Sequence, residues 1–500
     1  MKKEIKYGAI LGYVNIFSTI LVTLVYTPIM LRLVGQSEYG LYALISSIIS
    51  YLSVLDMGFG NAMIRFVSKS QAKKENDSKI NGMFLFLYII IGIVAFIIGM
   101  ALYANVEVLF SNSLTALELK KAKIIMVILV LTIAASFPLS IFDSYATASE
   151  KFTFLKILAI LKTLMIPIIT LPLLLLGYKS IAMVSVTSGV TLGLHILSMI
   201  FCFKKLKMKI DFNIKEYDKT LLKEIFVYSL YIFLNIIVDQ IYKNTDQIIL
   251  GAVSGTIMVS IYSLANQISA MNTQFSTAIS SLFLPSITKT LEEKNSNKMI
   301  SNIFIKVSRI QLYILLLILS GFIIFGKMFI ELWVGPEYKD VYYIVLLLIS
   351  PAIIPLTQNI GISILQAKNK HKFRSIMYIA IAILNIFISI PLAKNYGGIG
   401  AAIGTAIATL LGQIITMNIY YHKVIKIDII SYWKFLLKVT TPVIIISIIL
   451  QKMISRLSVS WINLLIGACI YGVLYLIYIY FSMNDEEKTY ISNIKNKFVK

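Results

Sequence analysis

Cysteine, histidine and charge are all scarce in this sequence, and each shortage removes a class of protein. Cys202 and Cys469 stand alone in separate apolar runs, so neither a disulfide framework nor a metal cluster is expected. His195, His371 and His422 are equally scattered. Only 14% of residues are charged against 58% hydrophobic, with a mean hydropathy of +0.83, which excludes a water-soluble globule of this length. Polar breaks are short, leaving no room for a catalytic domain outside a membrane, so no enzyme is expected. One nucleotide-binding outline, Gly321 to Gly326-Lys327, is followed by Met328 where Ser or Thr is needed and lies in an apolar run, so it is rejected.

What is present is a succession of apolar runs from Tyr7 to Phe481, each long enough to cross about 30 Å of hydrocarbon as a helix. They lack the alternation of barrel strands. The first run continues to Leu33, too long for the core of a signal peptide, so it is expected to be retained. The reading is an all-α integral membrane protein of about fourteen transmembrane helices, one of them expected over 38–66 and one over 340–366. Trp333, Trp433 and Trp461 fall at or beside span ends, as interfacial aromatics do.

The net charge of +22 is a topology signal, not a nucleic-acid footprint. Lys and Arg outside the spans concentrate on the side of the amino terminus, with 30 there and only a handful opposite. Basic loops resist translocation, so both termini are expected in the cytoplasm and the chain in the cytoplasmic membrane, with lipid headgroups as secondary partners.

The chain also resembles itself. Gly40, Tyr42, Leu44 and Lys69 align at one constant displacement with Ser260, Tyr262, Leu264 and Lys289, and Lys151-Phe152 resembles Lys372-Phe373 at a displacement one residue longer. Two pseudo-symmetric six-helix halves around a central cavity are expected, residues 1–210 and 211–434, with two extra helices and a tail in 435–500.

Charges deep in such helices cost roughly 2.5–3.5 kcal/mol on insertion scales, so they are informative. Asp56, Asp239 and Lys243 lie deepest, whereas Arg32, Arg65, Lys162, Arg309 and Lys327 sit nearer span ends and can snorkel. Tyr228, Tyr231, Asn235, Asp239, Tyr242, Lys243 and Asp246 recur at helical spacing on one face. Lys243 could simply neutralise Asp239 and Asp246; a carboxylate beside a cation can equally load and release H+ or Na+, which makes Asp56, Asp239 and Asp246 candidate ion-coupling residues. Further polar stripes run through Asn15, Thr19, Thr23 and Tyr26, through Tyr42, Ser46, Ser50 and Ser53, and through Ser263, Gln267 and Gln274. Interhelical hydrogen bonding explains any one stripe; four together favour a wet interior. Gly400, Gly404, Ala408 and Gly412 form a small-residue stripe for close helix packing, with no ligand assigned.

The stretch Leu31 to Lys69, LRLVGQSEYGLYALISSIISYLSVLDMGFGNAMIRFVSK, resembles the first hairpin of Wzx-type polysaccharide-repeat flippases of the multidrug/oligosaccharidyl-lipid/polysaccharide exporter superfamily. The segment with Asn235, Asp246, Gly251 and Ile261-Tyr262-Ser263 is similar to that family's seventh and eighth spans. The resemblance implies a carrier of undecaprenyl-diphosphate-linked oligosaccharide working by alternating access, without a cofactor, and with a polysaccharide polymerase and a chain-length regulator as candidate partners. It implies that Arg65, Lys162 and Lys243 attract the diphosphate, that Arg32 assists at the outer end, and that Tyr231, Asn235, Gln267 and Gln274 meet the substrate. Two alternatives stay open: an ion-coupled multidrug or cation antiporter, for which Asp56 and Asp239 would bind a cation, and a peptidoglycan-precursor flippase, expected to carry more cavity arginine than this chain has.

Overall fold

The computed structural model describes residues 2–212, 219–281, 287, 296–368, 370–485 and 487–489. Among them every regular element is a helix. In chain order these are α1 (Lys2–Val34), α2 (Gln36–Ser50), α3 (Phe59–Ala72), α4 (Ser78–Phe110), α5 (Ala116–Ala148), α6 (Phe152–Leu175), α7 (Lys179–Lys204), α8 (Lys219–Val253) and α9 (Gly255–Ser281). There follow α10 (Ser296–Trp333), α11 (Asp340–Thr357), α12 (Ile360–Ala367), α13 (His371–Ala408), α14 (Ile429–Ile454) and α15 (Trp461–Ser482). Beyond α13 the same rod continues to Ile425, largely as π-helix.

Eleven segments among the described residues are long and apolar enough to span a membrane. One of them, Lys372–Ile425, accounts for two crossings because the chain turns back at Gly397. Its φ of 57° and ψ of −137° suit glycine, which has no Cβ to clash. Past the turn, Asn385 meets Thr405 and Ser389 meets the Ala401 carbonyl, so the two arms run antiparallel. A Cβ on Gly400 would lie 2.0 Å from the Leu392 oxygen, so the small-residue stripe does serve close packing. α8 and α9 occupy the residues expected as the seventh and eighth spans, so the helix count is roughly that expected.

Two expected spans are interrupted. The run expected over 38–66 is α2 and α3 separated by a tight 3-10 turn, Tyr51–Asp56, and a left-handed pair, Met57 (φ 49°) and Gly58 (φ 79°). The run expected over 340–366 is α11 and α12, parted at Gln358-Asn359. Hydropathy is blind to such breaks, because they replace a few backbone hydrogen bonds without changing the side chains' polarity.

Packing divides the chain into two compact units, Met1–Ser263 with Ile386–Ala401, and Leu264–Asn385 with Ala402–Lys500. In the first unit a core of Phe59, Met63, Phe84, Tyr88, Phe137, Ile141 and Tyr145 locks α3, α4 and α5 together. In the second unit the interior is stitched by hydrogen bonds as well as apolar contact. Gln311 of α10 donates to the Ser276 carbonyl (3.0 Å) and to Ser280 Oγ (2.7 Å), and Gln358 and Asn418 exchange amide hydrogen bonds. Many large apolar side chains are exposed, among them Phe17, Ile97, Ile168, Ile462 and Phe481, the surface expected of a protein dissolved in lipid.

Candidate functional site

The broken helix of the first unit carries its own carboxylate. Asp56 ends the 3-10 turn, and its Oδ2 accepts the Gly58 N–H at 3.1 Å, which satisfies a backbone donor freed by the break. Its Oδ1 accepts the Tyr88 hydroxyl at 2.6 Å, the length of a charge-assisted bond. Upstream, Ser50 and Ser53 hydroxyls bond to carbonyls three residues back, at 2.7 and 2.6 Å. That spacing is the 3-10 repeat, so the hydroxyl-rich sequence itself supports the tightening.

This broken helix is zipped to α8 by polar side chains. Ser47 donates to Gln247, Tyr51 and Thr245 share a hydrogen bond of 2.5 Å, and Gln240 donates to Ser53 at 3.0 Å. Gln240, Thr245 and Gln247 lie outside the polar stripe read from the sequence and were not singled out there. They flank the stripe on α8, and within the stripe Asp239 and Lys243 are exposed. Asp246 is different, buried at 4% exposure with the Tyr262 hydroxyl donating to it at 2.5 Å. Tyr231 and Asn235 belong to the same stripe, and their side chains lie outside the described residues.

The remaining cations are spread through the first unit. Arg65, exposed on α3, stacks its guanidinium over the Tyr228 ring at 4.7 Å, so α8 positions it. Arg32 is exposed in the last turn of α1. Lys162 of α6 is half-buried within electrostatic reach of Asp143. Asp143 is the centre of a cluster that sequence reading passed over, accepting from Ser198 at 2.5 Å and pairing with His195 Nδ1 at 2.8 Å. Asp143 and the α7 residues lie far apart in sequence, and only the packing of α5 on α7 joins them. Gln267 and Gln274 lie in the second unit, the former half-buried and the latter exposed.

One end of the first unit is closed by a separate network. Lys121 and Ser180 both donate to Glu38, and Glu118 caps α5 while accepting from Ser37 (2.6 Å) and Thr256 (2.7 Å). The backbones approach closely here, since a Cβ on Gly40 would sit 1.8 Å from the Thr256 oxygen. Among the charges expected to snorkel, Arg309 is instead paired in the second unit with Glu487 of the tail, at 2.6 and 2.8 Å. Among the described residues no group of His, Cys, Asp and Glu is arranged to hold a metal ion.

A "Probable flippase AglR" of Haloferax volcanii is 29% identical over 183 residues, 35% of this chain and 37% of that protein; the chain thus spans well under half the length of this relative. An Escherichia coli (strain K12) protein whose name proposes O-antigen transport is 24% identical over 403 residues, 78% of this chain and 90% of that one. Among solved structures, the lipid II flippase MurJ in an inward closed conformation superposes with a TM-score of 0.72 at 17% identity, covering 94% of this chain and 97% of that one. An inward-facing multidrug resistance MATE family transporter of the MOP superfamily gives 0.64 at 13% identity, covering 84% and 99%. At these identities the structures show a shared fold. The family model described as polysaccharide biosynthesis protein matches residues 6–291, more than half of the chain, and the chain belongs to that family.

Proposed function

We propose that this protein is a flippase, not an enzyme, that carries an undecaprenyl-diphosphate-linked oligosaccharide from the inner to the outer leaflet of the cytoplasmic membrane, with both termini inside. The observation that carries the reading is the exposure of Asp239 and Lys243 along α8, with Arg65 of α3 exposed beside them over the Tyr228 ring. Charges midway along a membrane-crossing helix are costly in hydrocarbon, so Asp239 and Lys243 support a wet path beside α8, which Arg65 borders. Family membership and relatives named as flippases and for O-antigen transport support a lipid-linked sugar as the cargo on that path.

In this reading Arg65, Lys162, Lys243 and Arg32 neutralise the diphosphate, and the hydroxyl and amide groups of Tyr231, Asn235, Gln267 and Gln274 exchange hydrogen bonds with the sugar. Asp56 and Asp239 serve ion coupling, with H+ or Na+ as the coupled ion, and Asp246, held by Tyr262, belongs to the same helix. The two halves rock to give alternating access. A polymerase and a chain-length regulator take the product at the outer face.

Deleting the gene is expected to trap lipid-linked repeat units on the cytoplasmic leaflet, and normal surface polysaccharide in the deletion strain would refute the proposal. Asp239→Asn is expected to slow transport with protein level unchanged; full complementation would remove Asp239 from the mechanism.

A further inference from the structure

A hollow of about 580 Å³ opens at the base of the second unit, remote in sequence from the stripes above. Its walls are the first turns of α10 and the strap between Ile425 and α14. Lys298, Ser301, Asn302 and Ile305 share one helical face, at spacings of three and four. His422 and Lys426 face them across the hollow.

We propose that this hollow binds the phosphate of an anionic membrane lipid, a site independent of the transport reading. Its depth is the first reason. The apolar segments Lys298–Trp333, Lys372–Ile425 and Ile429–Ile454 all begin or end here, so the hollow lies where hydrocarbon gives way to headgroups. The charge distribution places these span ends on the cytoplasmic side, where anionic lipid concentrates.

The order of side chains is the second reason. Along α10 the face runs from the Lys298 ammonium through the Ser301 hydroxyl and Asn302 amide to apolar Ile305, the sequence of environments a lipid presents from phosphate to acyl chain. Ser301 Oγ accepts the Asp428 N–H at 2.9 Å, which leaves its own hydrogen to donate.

The one acid in the hollow has its carboxylate oxygens engaged in capping α14 and lies within electrostatic reach of His422. Asp428 caps α14, taking the Ser431 hydroxyl at 2.5 Å and the Ser431 N–H at 3.0 Å, and these bonds hold its carboxyl below the usual aspartate range. The strap is fixed too. Lys426 takes a left-handed φ of 65°, and the next N–H returns to the Tyr421 carbonyl at 3.0 Å, so the lysine is presented from a set backbone.

Two sources share this chemistry, a glycerophospholipid phosphate and the diphosphate of a polyprenyl carrier. The full-length protein is purified in phosphatidylcholine nanodiscs and titrated separately with phosphatidylglycerol and with undecaprenyl diphosphate, with thermal stabilisation and lipid retention in native mass spectrometry as readouts. Each near-surface cation contributes about 1 kcal/mol, so Lys298→Ala with Lys426→Ala is expected to weaken phosphatidylglycerol binding about 30-fold. Lys423→Ala with Lys434→Ala, which removes the same charge outside the hollow, is expected to change it little. Stronger competition by undecaprenyl diphosphate would assign the phosphate site to the carrier lipid. Equal losses in the two double variants would mean a diffuse basic surface and overturn the proposal, as would wild-type binding by a Lys298→Gln, Lys426→Gln protein that elutes as a normal monodisperse peak.

Discussion

Residues 51–58 and 271–278 stand at the same displacement as Tyr42 and Tyr262, yet only the first stretch leaves the α-helix. In the first unit the chain tightens to a 3-10 turn and passes through left-handed Met57 and Gly58. In α9 the helix runs on to Ser281. Both stretches are rich in hydroxyls, so composition does not separate them. Ser50 and Ser53 bond three residues back, whereas Thr277 and Ser280 also bond four residues back, to the Thr273 and Ser276 carbonyls at 2.8 and 2.9 Å, the α-helical partner. The decisive difference is Asp56-Met57-Gly58 against Ser276-Thr277-Ala278. A glycine admits the left-handed turn, and a carboxylate accepts the N–H that the turn releases.

The two stretches also differ in how their polar groups are satisfied. Ser276 is buried and donates to the Leu356 carbonyl at 2.6 Å, so the second stretch is tied to its neighbours as a packed helix. The Asn272 amide is buried with no hydrogen-bond partner among the described residues. Asp56 instead is half-buried at a helix break, with its carboxylate held by Tyr88 and the Gly58 N–H. The two stretches therefore differ: one breaks around a carboxylate, the other continues as a packed helix.

Three measurements break or sharpen that contrast. The largest effect is expected from Tyr88→Phe, which strips Asp56 of its hydroxyl donor and is expected to cost about 1.5–3 kcal/mol of stability. Thermal unfolding of Tyr88→Phe, Asp56→Asn and the double variant should be strongly non-additive; simple additivity would show that the two groups do not act as a pair. Next, Gly58→Ala forces an L side chain into the left-handed region at about 1–2 kcal/mol, while Thr277→Gly is expected to cost about 0.5–1 kcal/mol by loosening an intact helix. A harmless Gly58→Ala would show that the break tolerates a return to helix.

The smallest effect concerns how each unit holds a carboxylate. Asp56 is held by a hydroxyl and a backbone N–H, whereas Glu487 in the second unit is held by a cation. Burial pushes the Glu487 carboxyl up, but the Arg309 hydrogen bonds and the Asn484 N–H outweigh it, and its pKa is lowered below the ordinary 4.5. A lowered folded-state pKa stabilises the protein fully above about pH 4.5 and loses that contribution as pH falls through the folded value. Glu487→Gln should therefore flatten the acid limb of the stability profile, and an unchanged acid limb would show that the tail pair does not contribute.

Much of this was legible before any coordinates. The apolar runs gave the crossings because a helix in lipid must satisfy its own backbone, and length alone then decides what spans. The exposed charges of α8 were legible as a stripe because helical spacing is local. Gln240, Thr245 and Gln247 were not, since their partners on the broken helix lie nearly two hundred residues away in sequence. Arg309 looked like a snorkelling cation for the same reason: Glu487 is its partner only in three dimensions.

By itself, then, the sequence determined that this is an all-helical membrane protein and which residues form the charged stripe of α8. Those properties follow from transfer free energy and helical period, which act residue by residue. Tertiary structure alone decided that span two breaks at Gly58, that Asp143 meets His195 and Ser198, and that Lys298 faces Lys426 across one hollow. Those depend on which distant backbones pack together, and hydrogen bonds between remote side chains leave no periodic trace in the chain that makes them.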